Sequence, residues 1–239
     1  MSDVERAFDA LLSESHLAAP YQLPTLFARY AERLGVTGAV VYLADLQQNV
    51  LVPFLPPGGA SRDESVVSLG IDSTLAGRAY QHVEMAIQEM SAGRLRIWLP
   101  LVDGSDRLGV MAVVGPDQKS LDARDGLLAA RLRRFAAIAA ELIMSKTLYG
   151  DTIVRVRRSA DMGLAAEMQW SLLPPLTFAC QEVTVAAALE PAYRVAGDTV
   201  DYAVDAGRAR IGVFDGMGHG LHSAQCASLT VATYRNARR

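Results

Sequence analysis

Cysteine is scarce: Cys180 and Cys226 are the only two in 239 residues. Their wide separation gives no short metal-binding or redox spacing, and two thiols build no disulfide framework. That usage fits a reducing cytoplasm. Charge of one sign is also lacking. Lys and Arg number 23 against 26 Asp and Glu, and the net charge of -3 leaves no basic footprint for nucleic acid. The local clusters Arg131, Arg133, Arg134 and Arg155, Arg157, Arg158 recur at helical spacing and read as solvated faces. No apolar run approaches the ~20 residues that span a membrane. The acidic, mixed N-terminus MSDVERAFDALL does not read as a secretory signal. Repeats and low-complexity segments are absent from the sequence.

What remains is an ordinary globular composition, 51% hydrophobic and 21% charged, long enough for one large or two small domains. A short helix is expected over Val4 to Leu12. Leu23, Leu26, Phe27, Tyr30 and Leu34 form one apolar helix face, which Gly35 ends. GAVVYLAD (Gly38 to Asp45) and NVLVPFL (Asn49 to Leu55) read as strands. STLAGRAYQHV (Ser73 to Val83) reads as a short helix with Ser73 as its cap. RLRIWLPLVDGSDRLGVMAVVG reads as strand, turn and strand around Gly104.

From Leu128 to Ala160, apolar residues step alternately by four and three, interrupted only by Lys146. A seam of about 3.5-residue period predicts helix pairing, and with it a homodimer. The alternative is a helix packed on its own domain, followed by an ordinary linker. Gly150-Asp151 is placed to end one helix and cap the next. A second amphipathic stretch reaches Leu172-Leu173 and is stopped by Pro174-Pro175. Beyond Pro175 the texture becomes strands, EVTVAAAL (Glu182 to Leu189) and then a hairpin, before a last helix near Leu221.

That hairpin, within VAGDTVDYAVDAGRARIGVFDGMGHG (Val195 to Gly220), carries the chemistry. A two-residue turn at Ala206-Gly207 pairs each residue with the one equidistant from the turn. Val200 then faces Val213, Tyr202 faces Ile211, and Asp198 faces Asp215. This face is apolar except at the end where the two acids meet, and it is expected to be buried. Opposed carboxylates repel across a strand pair, and a bound Mg²⁺ or Mn²⁺ would relieve the repulsion. Two such ions about 3.5–4 Å apart bind a phosphoryl group and generate hydroxide near neutral pH. A tight strand-to-helix turn with incidental acids is the alternative. Asp201 falls on the opposite face, in a surface or hydrogen-bonding role. The glycines of Gly216-Met217-Gly218-His219-Gly220 allow close backbone approach to a ligand, and the helix start that follows attracts an anion. His219 either contacts phosphate or caps the turn.

Three stretches in this order resemble the SpoIIE-like branch of the PPM (type 2C) metal-dependent Ser/Thr protein phosphatases: MQWSLLPP (Met168 to Pro175), VAGDTVDY, and FDGMGHGLHSA. Two residues depart from the pattern, Ala196 for a glycine and Val200 for an aromatic. The resemblance implies that Asp198 and Asp215 are catalytic metal ligands, with Asp215 bridging and the Gly216 carbonyl as a further ligand. It implies two Mn²⁺ or Mg²⁺ ions in the complete domain. It also implies hydrolysis of phosphoserine or phosphothreonine on a protein, often a STAS-type anti-sigma-factor antagonist. The family's further metal aspartates come later than this sequence reaches. The chain is therefore expected to hold the first part of the domain, to bind metal weakly and to be inactive alone.

Residues 18–147 resemble a GAF sensor domain through the strand pair from Gly38, IDSTLAGRAYQ (Ile71 to Gln81) and IWLPLVDGSDRLGVMAVV (Ile97 to Val114). Lacking cysteine, that stretch excludes a covalently attached bilin. Its ligand is unknown, and its one histidine, His82, reads as a surface or core residue. The expected fold is α+β: a GAF-type antiparallel sheet flanked by helices, a long linker helix, and an incomplete PPM-type β-sandwich. The expected divisions are an N-terminal helix over 1–17, the sensor over 18–147, a helical linker over 148–175 and the phosphatase segment over 176–239. The expectation is a cytoplasmic signalling phosphatase, with a non-catalytic GAF sensor or dimerisation module as the alternative.

Overall fold

The unbroken apolar runs in the first half have a simple cause: the sheet they form is buried on both faces. A computed structural model describes residues 3–58, 66–115, 118–190, 192–194 and 197–239. The chain divides into two units, one of Met1–Asp103 with Arg107–Arg157, the other of Gly104–Asp106 with Arg158–Arg239.

In the first unit, strands β1 (Thr37–Ala44), β2 (Val50–Phe54), β3 (Leu69–Gly70), β4 (Ala86–Glu89), β5 (Leu95–Asp103) and β6 (Asp106–Gly115) make one sheet of order β3-β2-β1-β6-β5-β4. The pairings of β1 with β2 and β6, of β2 with β3 and of β4 with β5 are antiparallel. Successive side chains take opposite faces. Val41 and Leu43 enter a core with helices α1 (Asp3–Ser15), α2 (Leu23–Arg33) and α4 (Gln118–Thr147). Tyr42 and Ala44 enter a second core beneath α3 (Leu75–His82). The expected antiparallel sheet flanked by helices is therefore present.

Several local expectations are corrected. Helix α3 is capped by Thr74, whose side chain accepts from the Gly77 N–H at 3.0 Å; Ser73 is not the cap. The break expected at Gly150-Asp151 is present, and the four-three seam does not run through one helix. It breaks after Thr147 and resumes in the short α5 (Thr152–Val156). Asp151 precedes α5 without a side-chain cap hydrogen bond. Leu132, Phe135 and Ala139 are fully buried in their own unit's core, so the packed-helix alternative describes these seam positions. Ile153 is buried there too, and the first unit extends to Arg157. Phe8 and Leu11 of α1 belong to the same core.

The second unit contains α6 (Leu164–Leu172), β7 (Thr177–Ala179), β8 (Thr184–Ala186), β9 (Thr199–Asp205), β10 (Arg208–Phe214) and α7 (Leu221–Arg238). Strands β7 and β8 form one two-stranded sheet, β9 and β10 another. The expected Glu182–Leu189 strand is only three residues long, β8. No helix among the described residues is long and apolar enough to cross a membrane.

Candidate metal-binding end of the hairpin

The hairpin has the register expected from its turn. Arg208 pairs with Asp205, Ile211 with Tyr202, Val213 with Val200, and Phe214 with Thr199. Asp198 and Asp215 are the next residues outward on each side. The register continues past them: a Cβ on Gly197 would lie 2.3 Å from the Gly216 carbonyl oxygen, and one on Gly216 would lie 2.6 Å from that of Gly197. Asp198 and Asp215 are thus bracketed by facing pairs on both sides. Val195 and Ala196 of the same motif lie outside the described residues.

Both carboxylates are exposed, and neither takes a hydrogen bond or ion pair among the described residues. Gly216 is half-buried, and Met217 beyond it is 97% exposed. Helix α7 follows, with Gly220 at its N-cap and no side-chain cap. His219 is exposed and takes no hydrogen bond or ion pair among the described residues. Two carboxylates and a carbonyl are hard oxygen donors of the kind Mg²⁺ and Mn²⁺ select. They fit such an ion as a partial ligand set. Among the described residues no group of three or more His, Cys, Asp or Glu is gathered to hold one.

The burial of the hairpin is reversed from expectation. The face carrying Val200, Tyr202, Ile211 and Val213 is not buried on β10, where Ile211 is 57% and Val213 80% exposed. Its covered part is at Tyr202, whose ring lies 6.3 Å from that of Phe178 in β7 and whose hydroxyl donates to the Pro175 carbonyl at 2.8 Å. Burial raises the Tyr202 phenol above its ordinary value, with nearby carboxylates adding to the effect. The packed face is the opposite one. Phe214 meets Tyr234 of α7 edge-on at 5.4 Å, and Thr199 and Asp201 are buried.

Of its two expected roles Asp201 therefore takes the hydrogen-bonding one, not the surface one. It is 1% exposed and accepts from Arg235 through Nε at 3.2 Å and Nη2 at 2.8 Å. Arg238 Nη1 lies 2.6 Å from its other oxygen, an ion pair without hydrogen-bond alignment. Arg235 Nη2 also donates to the Leu172 carbonyl at 2.6 Å. Sequence reasoning missed this cluster. Its trace was two arginines one turn apart at the end of α7. Gln169, within MQWSLLPP, is 2% exposed and its Nε2 donates to the Asp198 carbonyl at 3.3 Å. Trp170 Nε1 donates to the Ala192 carbonyl at 2.7 Å.

In the first unit, the core beneath α3 holds Tyr42 and Trp98 edge-on at 5.8 Å. The Trp98 Nε1 donor is buried there without a partner among the described residues. His82 ends α3 on the surface.

No protein-family model matches the sequence. No curated protein matches it either. The chain is similar to the solved GAF domain of an Acinetobacter phosphoenolpyruvate-protein phosphotransferase, at 14% identity over 63% of this chain and 98% of that one, TM-score 0.49. It is also similar to the GAF domain of such a phosphotransferase from Coxiella burnetii, at 12% identity over 61% and 95%, TM-score 0.49. A third similar structure is the A. aeolicus nlh2 GAF domain in an inactive state, at 11% identity over 60% and 97%, TM-score 0.49.

Proposed function

We propose that the chain joins a GAF-type sensor unit to the segment of a PPM-type phosphoprotein phosphatase that carries Asp198 and Asp215. The observation behind this reading is the continued hairpin register. It sets two free, exposed carboxylates against each other between the facing pairs Thr199–Phe214 and Gly197–Gly216. Further support comes from Gln169 of MQWSLLPP, which contacts the backbone of Asp198 although the two motifs are distant in sequence.

In this reading Asp198, Asp215 and the Gly216 carbonyl hold Mn²⁺ or Mg²⁺, which supplies charge neutralisation at a phosphoryl group and a more acidic bound water. These three donors are about half of the six or so oxygens that Mg²⁺ takes. Water, substrate phosphate or other carboxylates supply the rest. The chain's own residues hold the two acids in register, and the glycines after Asp215 leave its surroundings open. The proposed substrate is a phosphoserine or phosphothreonine of a STAS-type protein, in the cytoplasm. A homodimer through the helices that follow the sensor belongs to the same proposal. It would draw on Leu148 and Tyr149, exposed in the turn between α4 and α5, rather than on the buried seam.

Phosphate release from a phosphorylated STAS-type protein tests the activity. From a protein that carries the complete phosphatase domain, release is expected with Mn²⁺ or Mg²⁺ and lost in chelator and in Asp215→Asn. Equal release in chelator overturns the reading. The second reading, a sensor or interaction module without catalysis, is favoured by the absence of a third gathered ligand among the described residues. The unpartnered Trp98 donor is where calorimetry with small hydrogen-bond acceptors would look first.

A further inference from the structure

We infer that Asp201 is a positioning residue for the metal-binding end of the hairpin, held by Arg235 and Arg238, and that Arg235 ties that end to helix α6. The inference rests on the reading of Asp198 and Asp215 as metal ligands. It concerns residues on the other face of β9.

Carboxylates are almost never fully buried unless paired. Asp201 is buried because α7 delivers two guanidinium groups to it from one turn. The planar fork of Arg235 matches the carboxylate with Nε and Nη2 and reaches the Leu172 carbonyl with Nη2. Leu172 is the last residue of α6, and helix ends leave such carbonyls without helical partners. One guanidinium thus joins β9, α7 and the end of α6.

Helix α6 returns to the hairpin by a separate route. One turn before Leu172, the buried Gln169 amide donates to the Asp198 carbonyl. The contacts close a ring: Asp198 to Gln169, along α6 to Leu172, through Arg235 to Asp201, and back along β9 to Asp198. A closed ring fixes the backbone at Asp198 from both ends of a short stretch of strand, while its carboxylate stays free and exposed. Removing Arg235 opens the ring at its junction. It removes the carboxylate's aligned partner and frees the end of α6 at Leu172, and Asp198 then loses its fixed distance from Asp215. Outer contacts of this kind typically change metal affinity by about 10–100-fold when lost.

The test is Mn²⁺ titration of the full chain and of Arg235→Ala, read as paramagnetic broadening of the Asp198, Asp215 and Gly216 amide signals. Arg235→Ala is expected to weaken Mn²⁺ binding at least about tenfold. Added methylguanidinium, which refills the site, restores it. Arg235→Lys does not, because one ammonium nitrogen cannot reproduce the paired Nε and Nη2 contacts that hold the carboxylate. Mn²⁺ binding within about twofold of the unsubstituted chain overturns the inference, as does a loss that methylguanidinium leaves untouched. If Arg235→Ala does not fold, Asp201→Asn, of the same shape, takes its place and is expected to weaken binding in the same direction. If the unsubstituted chain shows no broadening at Asp198 and Asp215, the metal reading has failed. The positioning claim is then judged without metal. It stands if Arg235→Ala shifts the Asp198 and Gly216 amide signals and speeds their exchange, reversibly with methylguanidinium. It falls if those signals do not move.

Discussion

Gly197 and Gly216 face each other so closely that neither position has room for a Cβ: the added atom would lie 2.3 Å or 2.6 Å from the opposite carbonyl oxygen. This close approach carries the β9–β10 register beyond its last regular pair and sets Asp198 opposite Asp215.

Gly197→Ala is therefore expected to spread the hairpin end. Overpacking of this kind costs about 1–3 kcal/mol. Chemical denaturation monitored by Trp170 fluorescence reads the loss, and the Asp198 and Asp215 amide signals are expected to move with it. An alanine variant of unchanged stability would show that the two backbones do not meet.

The exposed half of the hairpin makes the opposite prediction. Val213 is 80% exposed, so Val213→Thr is expected to cost less than about 0.5 kcal/mol. A loss of 2 kcal/mol or more, about what burying a valine contributes, would mean that this face is covered in solution.

The hairpin shows what sequence could and could not reveal. Its register was legible because a two-residue turn sets every pair locally. Its buried face was not, because Val200, Tyr202, Ile211 and Val213 mark an apolar face without saying what packs against it. Helix α7 brings Tyr234 and two arginines to the other face, where Asp201 supplies the matching charge. Strands β3, β4 and β7 went unseen because two to four residues show no period. The helix break near Gly150-Asp151 was legible from its residue types, although the four-three spacing runs on through it. Helix α2 and its stop at Gly35 (φ +89°) were legible from one apolar face and one residue.

Capping of α3 separates two adjacent hydroxyls. Thr74→Ala removes the acceptor for the Gly77 N–H and is expected to cost about 1 kcal/mol. Ser73→Ala is expected to cost less. Thermal denaturation of the two variants decides between them, and equal losses would contradict the assignment of Thr74 as the cap.

Glu141 gives a pH-dependent prediction. The Asp103 carboxylate beside it, and partial burial, raise its pKa above the ordinary 4.5. A carboxyl group raised on folding favours the folded state most when protonated. That contribution is complete below the ordinary value and is lost as pH rises through the folded one. Glu141→Gln is expected to raise the melting temperature near neutral pH, with the difference vanishing below the carboxylate range. An equal difference at both pH values would remove the Asp103 interaction as its cause.

The central claim is that Asp198 and Asp215 share a divalent cation. The direct measurement is Mn²⁺ titration of the full chain, followed by paramagnetic broadening across its amide spectrum. The account predicts weak binding, with a dissociation constant on the order of millimolar for so few protein ligands. Broadening should be confined to the neighbourhood of Asp198, Asp215 and Gly216 and be abolished by Asp215→Asn. Broadening centred elsewhere, or unchanged in Asp215→Asn, would contradict it.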